Sequence, residues 1–285
     1  MGAAIAQRLM SVGHEIVVWN RTAEKTRPLV AAGAAPGATP FQLASFSDTV
    51  ITILTDAPAI DTAYHAHDGL LSGNVEGKLF IEMSTVRPQT ERTLAARIRE
   101  KGAVMVECPV GGTVGPAREG KLFGFAGGEA ADVARARPLL DRLCRRVEHV
   151  GPIGAGSSMK LAINLPLLVF WQAFGEALAL CRALGLDSAR IIDIFADTSG
   201  GPNVLKGRGA ALTAALKGED VGPVTIDIDS MRKDLRTMIE EARSLGTDLP
   251  VTASALQCYD QASLAGLGKG DITAIPVHWL HRTRS

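Results

Sequence analysis

The sequence carries no excess of charge of either sign. Its 30 basic and 30 acidic side chains give a formal net charge of zero, and no block of basic residues interrupts the chain. Nucleic acids and anionic membrane surfaces attract proteins through clustered basic side chains. We therefore expect neither a nucleic acid nor a membrane as a partner.

Cysteine is scarce as well. The cysteines lie far apart, without a Cys-x-x-Cys pair or the spacing of metal ligands. Disulfide frameworks and zinc sites need closely repeated cysteines, so this pattern predicts reduced, mostly buried thiols and no metal site. Reduced thiols are typical of the cytoplasm, which is the location that we predict. The cysteines are Cys108, Cys144, Cys181 and Cys258.

Long apolar runs without polar interruption are also missing. The longest apolar stretch, residues 161–180, contains Asn164, Pro166, Gln172 and Glu176. A membrane-spanning helix needs about 20 predominantly apolar residues, so a buried helix explains this stretch better. The first residues show no charged segment followed by an apolar one, and we expect no signal peptide.

What the chain does contain is enough apolar residues for a full core, since 46% of its 285 residues are hydrophobic. A chain of this length commonly forms two domains. Short β-type runs alternate with helical patterns over residues 1–150, which predicts βαβ units and a mostly parallel, doubly wound sheet. Residues 151–285 have almost no β-type pattern, and we expect an all-helical domain there.

The periodicity predicts the individual elements of both parts. The predicted strands are 15–20, 49–54, 78–84, 103–110, 121–126 and 147–150. The predicted helices of the first part are 2–12, 22–32, 58–65, 88–101 and 130–145. Those of the second part are 157–184, 188–197, 203–217, 226–244 and 250–265.

One stretch, residues 151–164, stands between the two parts. Its glycines allow close backbone approach to a ligand, and Ser157 or Ser158 can cap the next helix by accepting a free backbone N–H. Lys160 and Asn164 are four residues apart, so they share one helix face within an apolar run. One interpretation is a catalytic ammonium beside an amide. The other is that Lys160 reaches solvent while Asn164 bonds locally.

Polar residues follow the first predicted strand. In a dinucleotide-binding sheet an acidic residue at this place binds the adenosine ribose. Here Asn20, Arg21 and Thr22 occupy it, and Lys25 lies one turn further on. A guanidinium suits a 2′-phosphate, so we predict that NADP is preferred over NAD. The other interpretation is a polar turn in which Thr22 caps the next helix, and both interpretations can hold together.

Three more loops follow predicted strands, where the ligands of such sheets bind. They span residues 54–58, 83–88 and 109–117. The second places hydroxyls at the end of its strand, and the backbone N–H groups of the third, which is rich in glycine, can bind a carboxylate.

The order and spacing of these motifs say more than each motif alone. The chain contains six motifs in this order: Asn-Arg-Thr, Leu-Thr-Asp-Ala, Met-Ser-Thr-x-x-Pro, Pro-Val-x-Gly, Gly-x-Gly-x-x-x-Lys-x-x-x-Asn and Lys-Asp-Leu. This set resembles the β-hydroxyacid dehydrogenase family, which includes 3-hydroxyisobutyrate and tartronate semialdehyde reductases, over essentially the whole chain. The resemblance implies a Rossmann-type domain followed by a helical domain, in a homodimer or homotetramer. Hydride would pass between a nicotinamide and the carbon of a small substrate that bears the hydroxyl.

The resemblance also implies catalytic roles. Lys160 matches the catalytic lysine, a general acid in reduction and a general base in oxidation, and burial or a neighbouring cation should lower its pKa. Asn164 would hold the same hydroxyl or orient the lysine. Lys233 would lie near nicotinamide and substrate, although without the resemblance an exposed helix lysine explains it equally well.

The other motif residues are assigned by the same resemblance. Those expected along the cofactor are Gly2, Asn20, Arg21, Thr22, Lys25, Leu54, Thr55, Asp56, Pro58, Thr85 and Lys233. Those expected at the substrate are Ser84, Gly111, Gly112, Thr113 and Lys233.

The sequence departs from the family pattern at residues 109–113 and at Pro166. The family's Pro-Val-Ser-Gly-Gly reads Pro-Val-Gly-Gly-Thr, so Gly111 replaces a serine that helps to bind the substrate carboxylate, and Thr113 replaces a glycine. Pro166 removes one helical N–H bond and should kink the helix one turn beyond Lys160, at a cost of about 3 kcal/mol.

The largest departure concerns the dinucleotide motif. Gly2 corresponds to the end of the family's Gly-x-Gly-x-x-Gly loop, so the first strand and two glycines that face the pyrophosphate are missing. In a doubly wound sheet that strand is central, and its loss should open the core. Either the start codon is placed too late or the first residues are lacking from the sequence, or the chain folds without the strand and binds the cofactor weakly or not at all.

Two other functions stay open. Imine reductases resemble this fold but usually lack the lysine, so Lys160 argues against them, while the serine lost at Gly111 weakens the case for an acid substrate. A non-catalytic relative that serves as an oligomerisation scaffold would fit the missing strand. The joint presence of Lys160, Asn164 and Lys233 argues against that scaffold.

Overall fold

The computed structural model describes residues 1–281 and divides into two compact units. The first unit is Met1–Leu161, and the second begins at Ala162. The boundary lies inside a long helix, later in the chain than the predicted boundary at residue 150.

The first unit alternates strands with helices, as its hydrophobic periodicity predicts. Its strands are β1 (Val17–Val18), β2 (Ala35–Pro36), β3 (Thr49–Thr52), β4 (Leu79–Glu82), β5 (Val104–Glu107), β6 (Val110–Gly111), β7 (Leu122–Gly127) and β8 (Cys144–Gly151). Its helices are α1 (Gly2–Ser11), α2 (Arg27–Ala31), α3 (Pro40–Ser45), α4 (Ala57–His65), α5 (Pro88–Glu100), α6 (Val114–Glu119), α7 (Ala130–Leu143) and the start of α8 (Ala155–Cys181).

Six of these strands form one sheet. Its order is β3-β4-β5-β7-β6, and β8 also pairs with β7. Strands β3, β4 and β5 are parallel, as are β7 and β8, whereas β7 runs antiparallel to β5 and β6. The predicted fold class is confirmed: a Rossmann-type α/β domain with a mostly parallel sheet precedes a helical part.

The remaining two strands form a separate small sheet. Strand β1 pairs in parallel with β2, over two residues of each. Within residues 1–281 neither strand joins the six-stranded sheet, in which β3 is the last strand on its side. The described strands are thus divided between two sheets.

The core of the first unit covers both faces of the large sheet. Leu79 and Ile81 of β4 belong to one buried cluster, whereas Phe80, between them, belongs to another. Successive residues of a strand point to opposite faces, so both faces of β4 are covered by apolar side chains. A strand buried on both faces is a near-continuous apolar run, which is why the sequence identifies it.

Some predicted elements differ from the observed ones. The predicted helix 22–32 is divided into a 3₁₀ turn, Ala23–Lys25, and α2, because Pro28 suits the first turn of a new helix. Helix α6 occupies a segment predicted as a loop from its glycines and proline. Helix α7 ends at Leu143 because β8 begins there, and the guanidinium groups of Arg145 and Arg146 lie over the Phe123 ring.

The second unit is helical in its described part. After α8 come α9 (Ser188–Ala196), α10 (Asn203–Lys217), α11 (Ile228–Ser244), α12 (Pro250–Ala262) and α13 (Ala274–His281). The bounds of α10 match the prediction. Helix α12 is shorter than predicted because the chain turns through Gly266, whose φ of 88° favours glycine. Helix α13 was not predicted.

Helix α8 carries the longest apolar run and continues through Pro166. Leu168, Trp171 and Phe174 are buried, whereas Leu180 is 85% exposed. Together with the 3₁₀ turn that follows it, this helix is the one described segment whose length and composition would allow it to cross a membrane. Core helices of soluble proteins share both properties.

Candidate active site

The start of α8 is bound by a buried carboxylate. Glu107, the last residue of β5, accepts the backbone N–H groups of Gly154 at 2.5 Å and Gly156 at 2.9 Å. The N–H and the hydroxyl of Ser157 donate to its other oxygen, at 3.3 and 2.8 Å. A carboxylate at this position satisfies free N–H groups and interacts favourably with the positive end of the helix dipole.

The predicted helix cap is therefore wrong. Ser157 donates its hydroxyl to Glu107, and Ser158 donates its hydroxyl to the carbonyl oxygen of Gly154. Neither serine accepts a free N–H, because the charged carboxylate is the stronger acceptor. The N–H groups of Gly154 and Gly156 are bonded to Glu107, and the ligand contact predicted for the glycines of this loop stays a prediction.

Two glycines make room for this carboxylate. A Cβ on Gly127 would collide with an oxygen of Glu107, and a Cβ on Gly156 would collide with the carbonyl oxygen of Phe125. Burial raises the pKa of Glu107, while the hydrogen bonds from Ser157, Gly156 and Gly154 act in the opposite direction. The glycines thus permit a close approach that the hydrogen bonds of Glu107 require.

Lys160 follows Ser157 by one turn of α8, and Asn164 comes one turn later. The two side chains are 8% and 9% exposed. A lysine that reached solvent from the helix start would be largely exposed, so its burial disfavours that interpretation. A buried ammonium group and a buried amide on one helix face are the chemical groups that a proton-transfer site needs.

The second unit brings three polar side chains together. Asp234 accepts a hydrogen bond from the side-chain amide of Asn164 at 3.4 Å. Its other oxygen pairs with the ammonium of Lys233 at 2.6 Å. Asp234 is buried, and Lys233 is only partly exposed. The exposed helix lysine that the sequence alone allows is therefore not what is observed.

The loop after β3 lies beside the start of α1. A Cβ on Gly2 would lie 3.2 Å from the side chain of Ile53. Next along the chain, the N–H of Leu54 donates to the hydroxyl of Ser84 at 2.7 Å. This bond connects the loop after β3 with the loop after β4.

The other predicted residues of these two loops have separate environments. Asp56 caps α4 by accepting the N–H of Ala59 at 2.9 Å. Thr55 and Pro58 are exposed, and Thr85 is partly buried. Ser84 is buried, and its hydroxyl is engaged within the protein, so its role as a substrate ligand stays a prediction.

The turn after β1 is on the surface. The side-chain oxygen of Asn20 accepts the N–H of Thr22 at 2.9 Å, which shapes the turn. Thr22 does not cap the next helical turn, so that alternative is wrong in this detail. Arg21 and Lys25 are exposed, and neither forms an ion pair within residues 1–281. Both cations are available to a phosphate.

The glycine-rich loop after β5 leaves space at one position. The nearest atom to a Cβ built on Gly111 is 3.7 Å away, an ordinary contact distance. Gly112 has a φ of 122°, which favours glycine. Thr113 is the N-cap residue of α6, but its side chain makes no capping bond. The serine that the family has at residue 111 would therefore fit here.

Sequence reasoning did not identify three buried carboxyl groups of this region. Glu82 and Glu107 end two neighbouring parallel strands and lie opposite each other, and Glu91 projects from α5. A glutamate at the end of an otherwise apolar strand was the available signal. Within the described residues, no group of three or more His, Cys, Asp or Glu side chains is arranged to hold a metal ion.

We predict that Glu107→Gln lowers the free energy of unfolding by about 1–3 kcal/mol, because glutamine has one acceptor oxygen and places an NH₂ group among N–H donors. Urea unfolding followed by circular dichroism measures the change. The matched control is Glu129→Gln, since Glu129 is an exposed residue at the N-cap of α7 that makes no capping bond. Equal effects of both substitutions would contradict the role of Glu107.

Comparison with known proteins gives a consistent result for both parts of the chain. Residues 1–151 match the family described as the NAD binding domain of 6-phosphogluconate dehydrogenase. Residues 154–279 match the NAD-binding family of NADP-dependent 3-hydroxyisobutyrate dehydrogenase.

Similar proteins include enzymes and a nuclear factor. Glyoxylate/succinic semialdehyde reductase 1 of Arabidopsis thaliana is 31% identical over 96% of this chain and 93% of its own. 3-Sulfolactaldehyde reductase of Escherichia coli is 32% identical over 96% of this chain and 91% of its own. The cytokine-like nuclear factor N-PAC of Aedes aegypti is 29% identical over 96% of this chain but only 48% of its own.

Solved structures share the fold. The structure of Psf3 in complex with NADP⁺ and 2-OPP has a TM-score of 0.85 and 26% identity over 98% of this chain and 95% of its own. An imine reductase from Myxococcus stipitatus has a TM-score of 0.63 and 22% identity over 98% of this chain and 96% of its own, which shows a common fold only. With both family matches and the two reductases, the chain belongs to the β-hydroxyacid dehydrogenase family of NAD(P)-dependent oxidoreductases.

Proposed function

We propose that the protein is an NADP-dependent oxidoreductase that transfers a hydride between the nicotinamide and a small β-hydroxy acid or its semialdehyde or keto partner, with Lys160 as general acid and base. The observation that carries the proposal is the burial of Lys160 on α8, at a helix start that Glu107 holds through four hydrogen bonds. The motif around it is the one in which the family has its catalytic lysine.

The residues of the first unit fit a phosphorylated dinucleotide. The exposed cations of Arg21 and Lys25 suit a 2′-phosphate beside the adenosine ribose, next to the turn that Asn20 shapes. Gly2 opens α1, and the N-terminus of a helix favours phosphate. When bound, NADPH supplies the hydride.

The proton is transferred by side chains of the protein. In reduction, the ammonium of Lys160 donates a proton to the oxygen that becomes the hydroxyl, and in oxidation the neutral amine removes it. The NH₂ group of Asn164 donates to Asp234, which leaves the amide oxygen of Asn164 to accept a hydrogen bond from the substrate hydroxyl. Lys233, held by Asp234, contributes positive charge for a substrate carboxylate.

The names of the relatives support a small aldehyde that carries an acidic group. The compounds in these names are glyoxylate, succinic semialdehyde and 3-sulfolactaldehyde. The acid group of such a substrate would be bound by backbone N–H groups of the loop at residues 111–113, with Thr113 in place of the serine that the family has at residue 111.

The alternative functions have weaker support. The likeness to an imine reductase is one of fold, and Lys160 argues against it. The N-PAC relative supports a scaffold, but Lys160 and Asn164 are buried and Lys233 is ion-paired, as a working site would need. We propose a homodimer or homotetramer, as expected for the family, and analytical ultracentrifugation measures the state.

We predict that Lys160→Ala lowers kcat for NADPH-dependent reduction of glyoxylate or succinic semialdehyde by about 10²–10⁴-fold, because the proton donor is lost. The affinity for NADPH, measured through the quenching of tryptophan fluorescence, should be largely retained. Lys206→Ala is the control, because Lys206 is an exposed lysine of α10. Undiminished turnover in Lys160→Ala would exclude the catalytic assignment.

We predict that Arg21→Ala weakens the binding of NADPH by about tenfold or more and that of NADH much less, because only NADPH carries the 2′-phosphate. Fluorescence titration with both nucleotides gives the two dissociation constants. Arg27→Ala serves as control, since Arg27 is exposed nearby and pairs with Glu24. Equal losses for NADPH and NADH would rule out the proposed 2′-phosphate contact.

We predict that Gly111→Ser lowers KM for an acidic aldehyde by up to about tenfold, because the new hydroxyl fits and adds one hydrogen bond to the carboxylate. The KM for a neutral aldehyde should not change. Gly115→Ser is the control, since a Cβ there meets open space in α6. The acid-binding role of this loop would fail if both aldehydes responded alike.

A further inference from the structure

Glu82 connects the two loops assigned to the nucleotide. It is the last residue of β4 and has no exposed surface. One of its oxygens accepts the N–H of Ser84 at 2.8 Å, and the other accepts the hydroxyl of the same serine. That hydroxyl in turn accepts the N–H of Leu54 at 2.7 Å. A single carboxylate therefore fixes the loop after β4 directly and the loop after β3 through Ser84.

The same carboxylate also contacts the end of β3. The hydroxyl of Thr52 lies 3.4 Å from Glu82 and 2.8 Å from the hydroxyl of Tyr64 on α4. All four side chains of this network, including that of Ser84, are buried. Buried hydrogen-bond networks of this kind hold one geometry, because each group that loses its partner has no water to replace it.

Glu91 of α5 is buried against this network and has no exposed surface. If it were ionised, neither of its oxygens would have a hydrogen-bond donor within the described residues. If it is protonated, it donates to Glu82. Burial first, and then the charge of Glu82, raise the pKa of Glu91 well above its usual value. Burial also raises the pKa of Glu82, so both shifts favour a pair that carries one negative charge rather than two.

The acidic groups around the pair disfavour a second negative charge. The titratable groups that face the pair are Glu107 from β5 and Tyr64 from α4, and both are acids. Burial and the charge of Glu82 raise the pKa of Tyr64, so it remains a neutral phenol. Two adjacent buried carboxylates would repel each other in a poorly solvated place.

We propose that Glu82 is a positioning residue for nucleotide binding, which holds Ser84 and the backbone of Leu54 in the conformation that binds, and that the proton on Glu91 keeps Glu82 in place. This inference rests on the proposed function, since the loops it orders are those assigned to NADPH. It adds a role for two residues that do not touch the nucleotide themselves.

The proposal has a definite pH dependence. The ordered arrangement holds the proton of Glu91 more tightly than the disordered one does, so its stabilising effect is present at low pH and is lost as the pH rises through the raised pKa of Glu91. Nucleotide binding should therefore also weaken as the pH rises. Glutamine at residue 91 donates a hydrogen bond to Glu82 at every pH, which removes this dependence.

The test is the dissociation constant of NADPH from pH 5 to pH 9 for the unchanged chain, Glu91→Gln and Glu82→Gln, measured by tryptophan fluorescence. Glu100→Gln is the matched control, an exposed glutamate of the same helix. Glu91→Gln should bind about tenfold more tightly than the unchanged chain at the alkaline end and equally at the acid end, and the control should follow the unchanged chain. Glu82→Gln should bind more weakly at every pH.

A second measurement needs no nucleotide. Hydrogen exchange of peptides that contain Leu54 and Ser84 is compared between the variants at equal pH, and exchange should be faster in Glu82→Gln and slower at alkaline pH in Glu91→Gln. If the exchange rates of all variants agree, or if binding by Glu91→Gln has the pH dependence of the unchanged chain, the positioning role is wrong. If exchange differs as expected but no variant binds NADPH, the loop ordering stands, whereas nucleotide binding and the proposed function fail.

Discussion

The bond between a carboxylate and the start of a helix is the constraint on which the candidate site depends. Glu107 comes from β5 and binds a loop that lies about 50 residues later in the chain, so it ties the end of the sheet to the first turn of α8. Lys160 is one turn further along that helix, and its position follows from this anchor. The absence of side chains at residues 127 and 156 is part of the same arrangement, because a Cβ would collide with Glu107 at the first position and with the carbonyl oxygen of Phe125 at the second.

Buried acids recur at the edge of the sheet where ligands of such folds bind. Glu82 and Glu107 end adjacent strands, and each of them organises a backbone segment that leads to a candidate ligand-binding residue. Glu82 and Glu107 thus fix the conformation of the backbone, whereas other residues are the candidates for contact with a ligand. The cost is electrostatic, because three carboxyl groups share a region from which water is excluded. Burial and the charge of Glu82 raise the pKa of Glu91 well above its usual value, which favours fewer negative charges in this region.

The architecture could be predicted from the sequence, whereas the contacts within the site could not. Helix α10 was predicted to the residue because Gly218 stops it in the left-handed conformation, a local signal. Strand β4 was evident because burial on both faces makes it an apolar run. The partner of the glycine loop at α8 was missed, because it depends on a pairing between distant segments that no local pattern encodes. Helix α6 was missed because glycine and proline near its start are also typical of turns. Lys160, Asn164 and Lys233 were identified by their motifs, but Asp234, which holds two of them, was not given a role.

The small sheet of β1 and β2 has a consequence for the turn that follows β1. Strands β1 and β2 contribute two residues each, and the apolar cluster beneath them contains only three buried side chains, Val18, Leu29 and Ala34. So small a packed unit opens locally at a low free-energy cost compared with the large sheet. The turn that carries Arg21 follows β1 directly, so it belongs to this small packed unit. Part of the binding free energy of any ligand at this turn would go into ordering it, so binding there would be coupled to a local folding equilibrium.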